Sequence, residues 1–442
     1  MASRGHFSSR LGFILAAAGS AVGLGNIWGF PTKVAENGGA AFILMYLGMA
    51  FLLAYPVLMA ELIIGRAKRA NMIDALKSIS GNVFGTITGS VGAITVVLIL
   101  AFYAIVAGWM MSYLVDAFLS ILTVDVPWLI ESSTPRNLVF MAVFLIFTSV
   151  VVTGGVSAGI ERWSVRLMPT LFLLIIALII YVSTQDGAID GWKALLVPDI
   201  SRVFSPTLML DAMGQAFFSM SLGVGTMLVY GSYIQKQENL PKLGASVALV
   251  DIGVAILAGM LIIPAMYVAL HNGVSILDEG GNLISGPTLI FQVLPSLFDS
   301  IGYVGTIVAS AFFLLMVIAA LTSSISMLEV PVAFLVDNKG VARKKATLIL
   351  TAVVFAASAT IVLNFNALFG VVITVTTEYS QPLLGLILCI FAGWIWNRNE
   401  ILEELKHGDE HADKTLFWKI WPWYVKIFCP AFIAINFYFS VF

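Results

Sequence analysis

Two glycine-broken strings interrupt otherwise solid hydrophobic runs: Ser20-Ala-Val-Gly23-Leu-Gly25 in the first run and Ser219-Met-Ser221-Leu-Gly223-Val-Gly225 in the sixth. Glycine inside a helix costs about 1 kcal/mol against alanine, and in lipid an unwound backbone is tolerated only where it is buried in protein or lines a wet cavity. Matching breaks in the two halves of a chain therefore predict one shared cavity, where freed backbone groups hold ions and the charged parts of a substrate. Either string alone also fits close helix packing through small residues. Their repetition favours the cavity.

The rest of the chain agrees with a membrane setting. Of 442 residues, 60% are hydrophobic and 11% charged, against about 25% charged in soluble domains. Apolar runs long enough to cross a hydrocarbon core of about 30 Å begin near Leu11, Ala40, Val91, Leu138, Val165, Leu208, Leu243, Ile301, Ala346, Ala367 and Ile420, which predicts eleven spans. The first run passes through Asn26, Trp28 and Pro31 without a small-residue cleavage site, so it reads as a helix and not as a signal peptide. With the N-terminus cytoplasmic, Arg66, Lys68, Arg69, Arg162, Lys236, Arg343, Lys344, Lys345 and most other cations fall inside, and only Arg136, Lys193 and Arg202 fall outside. A net charge of −2 argues against a nucleic-acid partner. Cys389 and Cys429 lie in or beside spans and imply no disulfide. A single membrane domain is expected, with longer polar connections over 183–205 and 271–287 outside and 397–415 inside; the outer two are long enough to fold over an entrance.

Several residues point to ion chemistry. Where the first string opens, its carbonyls become available and Asn26 adds an amide oxygen, the kind of donor a hard cation such as Na⁺ seeks. The second string supplies the Ser219 hydroxyl and half-helix ends whose dipoles suit an anionic group. Thr322-Ser323-Ser324 puts three hydroxyls in the middle of a run, although such groups often bond back to their own helix. Asp251 stands inside the seventh run, where a carboxylate is expensive and by default functional. Gly159 and Pro169 bracket nine residues at the cytoplasmic start of the fifth run; proline deletes a helix hydrogen bond and glycine tolerates the turn, so this stretch either kinks or unwinds. His407 and His411 sit in a charged loop and read as solvated.

The motifs Arg10-Leu-Gly-Phe-Ile-Leu, Gly23-Leu-Gly-Asn26, Glu36-Asn-Gly-Gly39, Gln215-Ala-Phe-Phe-Ser219, Ser221-Leu-Gly-Val-Gly225 and Leu321-Thr-Ser-Ser324 together resemble those of the neurotransmitter:sodium symporter family, and most closely its prokaryotic amino-acid carriers. The resemblance runs from Arg4 to at least Glu378. It implies an all-α polytopic fold of inverted five-helix repeats with broken helices 1 and 6, repeat one over about 11–185, repeat two over about 207–396, and an extra helix over about 419–441. It implies Na⁺-coupled symport of hydrophobic or aromatic L-amino acids through a multi-pass protein of the prokaryotic cell membrane.

By the same resemblance, one Na⁺ would bind carbonyls of Gly19, Val22 and Ala319 with the hydroxyls of Thr322 and Ser323. A second would take Ala21, Asn26, Ser219 and Asp251 together with the substrate carboxylate. The substrate pocket would be lined by Ala21, Gly23, Leu24, Gly25, Ile99, Tyr103, Phe218, Ser219, Ser221, Val224, Ser323 and Met327, with Tyr103 donating to the carboxylate. Glycine at position 23, where monoamine carriers hold an aspartate, implies an amino-acid substrate; Val224 and Met327 imply room for a large apolar side chain. Ala255 stands where animal relatives place a chloride-binding serine, so the Asp251 carboxylate would supply the negative charge and make transport chloride-independent. Glu61 and Glu378, carboxylates in apolar surroundings, match positions behind the broken segments, where they would either carry a proton or, as favoured here, hold backbone amides.

The inner gate implied is Arg4 with Asp337, supported by Tyr233 and Ser232, and the Gly159 to Pro169 stretch would unwind on inward opening. The family's outer ion pair is missing: Gly29 and an uncharged stretch around Leu363 and Asn364 stand in its place, which leaves Lys33 and Trp28 as candidates. A non-transporting sensor, a channel and a membrane enzyme are the alternatives. The intact Gly159 to Pro169 element, the absence of any filter-like repeat and the lack of a catalytic constellation argue against them in turn.

Overall fold

The structure is a computed structural model that describes residues 5–197, 205–277, 283–284 and 286–441. Arg4 therefore lies outside the described residues. Among those residues there is no β-strand, only one antiparallel bridge between Leu277 and Leu283. A chain this apolar has little choice in lipid, because every backbone N–H and C=O must be satisfied within its own segment.

The elements that position the site are α1 (Arg10–Ala21) and α2 (Gly25–Glu36), α3 (Ala40–Lys68), α4 (Val83–Ile121), α5 (Thr134–Thr153), α6 (Val156–Ser183), α7 (Pro206–Ser219), α8 (Thr226–Gly231), α9 (Leu240–His271), α10 (Tyr303–Lys339), α11 (Arg343–Leu363), α12 (Phe365–Ile395) and α13 (Leu416–Phe439). Among the described residues nine helices are long and apolar enough to cross a membrane, and the α1/α2 pair, bent by 55°, makes a tenth span. The sixth expected run is the pair α7 and α8, each too short to cross alone. The eleven predicted runs thus correspond to eleven helical units, two of them broken where the glycine strings stand.

Proline leaves a recurring mark. Pro31, Pro56, Pro295, Pro382 and Pro430 each follow, at the second residue, a π-helical turn: Gly25–Gly29, Ala50–Ala54, Leu289–Val293, Thr374–Ser380 and Tyr424–Phe428. The proline ring clashes with the carbonyl of the preceding turn and offers it no N–H. Widening that turn to i→i+5 bonding accommodates the ring without ending the helix.

The core is built around α1. It packs against α6, α9 and α10, while α4 and α10 pack on one another. Outside the core, short helices cover one end of the bundle. Ala188–Leu196 packs on α9. In the 286–300 segment Gly286 donates its N–H to Thr32 Oγ1 at 3.2 Å, and Phe291 sets its ring 6.4 Å from Trp28 and 5.7 Å from Trp109. Phe291, Trp28 and Trp109 thus form an aromatic cluster where this segment packs on the bundle. His407 and His411 are exposed, and no group of three or more His, Cys, Asp or Glu side chains placed to hold a metal ion occurs among the described residues.

Candidate functional site

Helix α1 ends at Ala21 because Val22 turns extended, with ψ 104°, and the chain resumes helical geometry at Leu24. Helix α7 ends at Ser219. Beyond it Ser221, Gly223 and Gly225 adopt φ of 51°, 87° and 80°. That region suits glycine and strains serine. Both breaks are held from outside. Glu61 on α3, fully buried, accepts the Gly223 N–H at 2.6 Å and the Leu228 N–H at 3.1 Å, so one carboxylate satisfies a donor within the α7/α8 break and another in the first turn of α8. Gln215 on α7 donates to the Gly25 carbonyl at 2.6 Å and ties one break to the other.

Oxygens converge at two places beside these breaks. At the first, the Ser323 hydroxyl lies 3.3 Å from the Gly19 carbonyl and 3.0 Å from that of Val22. Thr322 Oγ1 lies 3.0 Å from the Ala319 carbonyl. Ser323 thus reaches across to the first break, whereas Thr322 Oγ1 bonds back to its own helix, at Ala319 and at Ile318 (3.1 Å), with its Cβ 3.1 Å from where a Cβ at Gly19 would stand. At the second, Asn26 Nδ2 donates to Asp251 Oδ1 at 2.7 Å, to the Asp251 carbonyl at 3.1 Å and to Ser219 Oγ at 2.9 Å. Ser219 in turn donates to Asp251 Oδ2 at 2.8 Å. The Tyr46 hydroxyl, 3.3 Å from Ser219 Oγ, also reaches the Asp251 carboxylate. Asp251 is fully buried, and among the described residues its partners are an amide, a hydroxyl and a phenol, with no lysine, arginine or histidine. A buried carboxylate met only by neutral donors is costly unless a cation joins it. Both clusters are oxygen-rich, which fits a hard cation.

Between the clusters lies a small cavity of about 30 Å³. Eleven of the twelve residues expected to line a pocket line this one; Ser219 stands behind it, on the Asn26 and Asp251 side, and Gln381 from α12 is added. Leu24 N donates to Tyr103 Oη at 3.3 Å on its wall. A Cβ at Gly23 would fall 2.4 Å from Ser323 Oγ and 2.7 Å from Tyr103 Oη, so only glycine leaves this space open. A larger cavity of about 600 Å³ adjoins it and shares Leu24, Tyr103, Phe218 and Gln381 as a common wall.

Two candidates, Glu378 and Lys33, take other places. Glu378 does not sit in apolar surroundings: it is exposed and lines the larger cavity, because its face of α12 turns toward that space while Thr376 turns into the protein. Lys33 pairs with Asp211 at 3.1 Å and Glu36 at 3.0 Å, joining α2 to α7 on one side of the cavity instead of bridging it. Tyr233 donates to the fully buried Glu329 at 2.6 Å, and Glu329 also pairs with Arg343; Ser232 bonds back to Val229 at 2.5 Å. Asp337 lies 3.5 Å from Asn71 Nδ2. Gly159 stands in a π turn, and the chain stays helical from there through Pro169.

Sequence reasoning missed Tyr46, Gln215, Gln381, Glu329 and Glu161. For Glu329 and Glu161 a signal existed, a carboxylate within or at the edge of an apolar run. Glu161 accepts from Ser8 N at 2.7 Å, Ser8 Oγ at 2.7 Å, Ser9 N at 3.1 Å and Ser9 Oγ at 3.0 Å, and so clamps the start of α1 to α6.

Comparison with known proteins gives the family and the fold. The model of the sodium:neurotransmitter symporter family matches residues 4–137 and 133–442. The chain is 35% identical to the uncharacterised sodium-dependent transporter YhdH of Bacillus subtilis, over 98% of this chain and 96% of that one. It is 31% identical to a sodium-dependent transporter of Haemophilus influenzae, over 99% and 98%. The crystal structure of MhsT in complex with L-phenylalanine superposes with a TM-score of 0.86 at 37% identity, covering 100% of both chains. This chain belongs to the sodium:neurotransmitter symporter family, whose members are sodium-coupled membrane transporters and not enzymes.

Proposed function

We propose that the protein couples an inward Na⁺ gradient to the uptake of hydrophobic or aromatic L-amino acids by alternating access, without chloride. The observation that carries this reading is the fully buried Asp251, surrounded by neutral donors beside the two helix breaks. One Na⁺ completes the cluster of Asn26, Ser219 and Asp251 with the Ala21 carbonyl, and the carboxylate of the substrate joins it. A second Na⁺ occupies the cluster of Gly19, Val22, Ala319, Thr322 and Ser323. The bound L-phenylalanine of MhsT supports an amino acid as substrate. With Ala255 offering no hydroxyl, Asp251 supplies the charge that a chloride ion would otherwise bring.

In this reading residues 11–185 and 207–396 are the inverted repeats, 419–441 an added helix, and the N-terminus faces the cytoplasm of a prokaryotic cell. The ends of α2 and α8 at the breaks direct backbone N–H groups toward the carboxylate, and Tyr103 closes the pocket on the side of the larger cavity. Ion and substrate touch, so each raises the affinity of the other by the same factor. Inward release follows loosening of α1 at Glu161 and unwinding from Gly159 to Pro169, with Arg4, Asp337 and Tyr233 closing the inner side in the alternate state. The test is uptake of labelled amino acids into proteoliposomes under an inward Na⁺ gradient, with chloride or gluconate as the anion. The reading requires accumulation that depends on Na⁺ and is indifferent to the anion; uptake that stops in gluconate removes the role given to Asp251.

A further inference from the structure

Gln381 is 3% exposed, lies in α12, and borders both the small pocket and the larger cavity. Its Oε1 is one of two buried side-chain polar atoms among the described residues that have no hydrogen-bond partner, the other being Ser133 Oγ, which lines neither cavity. The orientation of the amide is set by chemistry: Nε2 faces the Phe217 carbonyl at 3.4 Å, and turning the amide over would set two oxygens against each other. The unpartnered atom is therefore an acceptor.

The other polar groups of the pocket are committed. Tyr103 Oη is engaged by Leu24 N, Ser323 Oγ by the Gly19 and Val22 carbonyls, and Ser221 Oγ by the Ser20 carbonyl. The remaining wall is apolar, formed by Ile99, Phe218, Val224 and Met327. The backbone there is also fixed, since a Cβ at Gly223 would fall 2.4 Å from the Gln381 carbonyl. A buried acceptor left unpaired is unfavourable, and in an apolar pocket it selects for the ligand that brings a donor.

We infer that Gln381 is a specificity-determining residue, its Oε1 accepting a hydrogen bond from an apolar substrate side chain that carries an N–H or O–H, as the indole of tryptophan and the phenol of tyrosine do. The inference rests on the amino-acid symport proposed above and narrows it: donor-bearing aromatic side chains are preferred over phenylalanine and leucine. The donor reaches Gln381 from inside the pocket, while the α-carboxylate stays with Na⁺ at Asn26.

The experiment is Na⁺-dependent uptake of L-tyrosine, L-tryptophan, L-phenylalanine and L-leucine by wild type, by Gln381→Met, which keeps the volume and removes the acceptor, and by Gln381→Glu, which restores an acceptor. Wild type is expected to favour tyrosine or tryptophan over phenylalanine by about tenfold, the worth of one net hydrogen bond. Gln381→Met is expected to bring that ratio close to one, and Gln381→Glu to recover part of it. Retained uptake with the same ratio in wild type and Gln381→Met overturns this inference and leaves the symport reading standing. No Na⁺-dependent uptake of any of the four by wild type overturns the symport reading and the inference with it.

Discussion

The amide nitrogen of Asn26 lies 2.7 Å from the carboxylate of Asp251, a contact between residues 225 positions apart that joins the first helix break to α9. No solvent reaches either group. Burial strips the Asp251 carboxylate of solvent, so its charge is costly unless a cation joins it.

Replacing that charge tests its role. Asp251→Asn keeps the shape and loses the charge, and is expected to weaken Na⁺ binding at least tenfold, about 1.4 kcal/mol. Adding Ala255→Ser to it is expected to make uptake respond to chloride. Sodium titrations of substrate binding in chloride and in gluconate measure both. Wild-type affinity in Asp251→Asn contradicts the assignment.

Gly23 tests the packing of the pocket. Gly23→Ala places a methyl within 2.4 Å of Ser323 Oγ and 2.7 Å of Tyr103 Oη. Substrate binding is expected to fall by at least tenfold, since neither wall yields without losing a hydrogen bond. The melting temperature of the detergent-solubilised protein is expected to change little. Binding at wild-type affinity would falsify the placement of the substrate carboxylate.

Glu161 tests the link between α1 and α6. Glu161→Ala leaves four donors of Ser8 and Ser9 without their acceptor. Hydrogen exchange at residues 7–12 is expected to rise about tenfold, with a parallel rise near Gly159 if the two segments open together. A rise at one segment alone shows that they open separately.

Lys33 tests whether the α2 to α7 pair is a tie or a gate. Its partners and it are about one-third exposed, and pairs of that kind contribute under about 1 kcal/mol. Lys33→Gln is expected to change uptake by less than about twofold. A much larger loss, restored by the charge swap Lys33→Asp with Asp211→Lys, gives the pair a gating role.

Much of the site is legible in the amino-acid sequence. Polar groups at membrane depth are expensive, so Asn26, Ser219, Asp251 and Thr322 stand out against their apolar neighbours, and the glycine strings mark the broken helices. Other residues leave no such trace. Tyr46 and Gln381 are single polar groups in helices of mixed character, and only the packing of α3 and α12 against the breaks gives them partners or denies them one. Glu378 reads as a carboxylate in apolar surroundings because it falls within the long apolar run Phe365–Ile395, although its immediate neighbours Thr376, Thr377, Tyr379 and Ser380 are polar and its face of α12 borders the larger cavity. Lys33 stands out as a charge near a helix end, yet its partner Asp211 comes from another helix and no spacing announces it.

The coupling of ion to substrate is tested most directly by the apparent Kd of purified protein for labelled L-tyrosine, or for L-phenylalanine, in sodium and in potassium buffers of equal ionic strength. Contact between ion and carboxylate at Asn26 predicts a Kd that falls steeply as sodium replaces potassium. The same Kd in both buffers contradicts it.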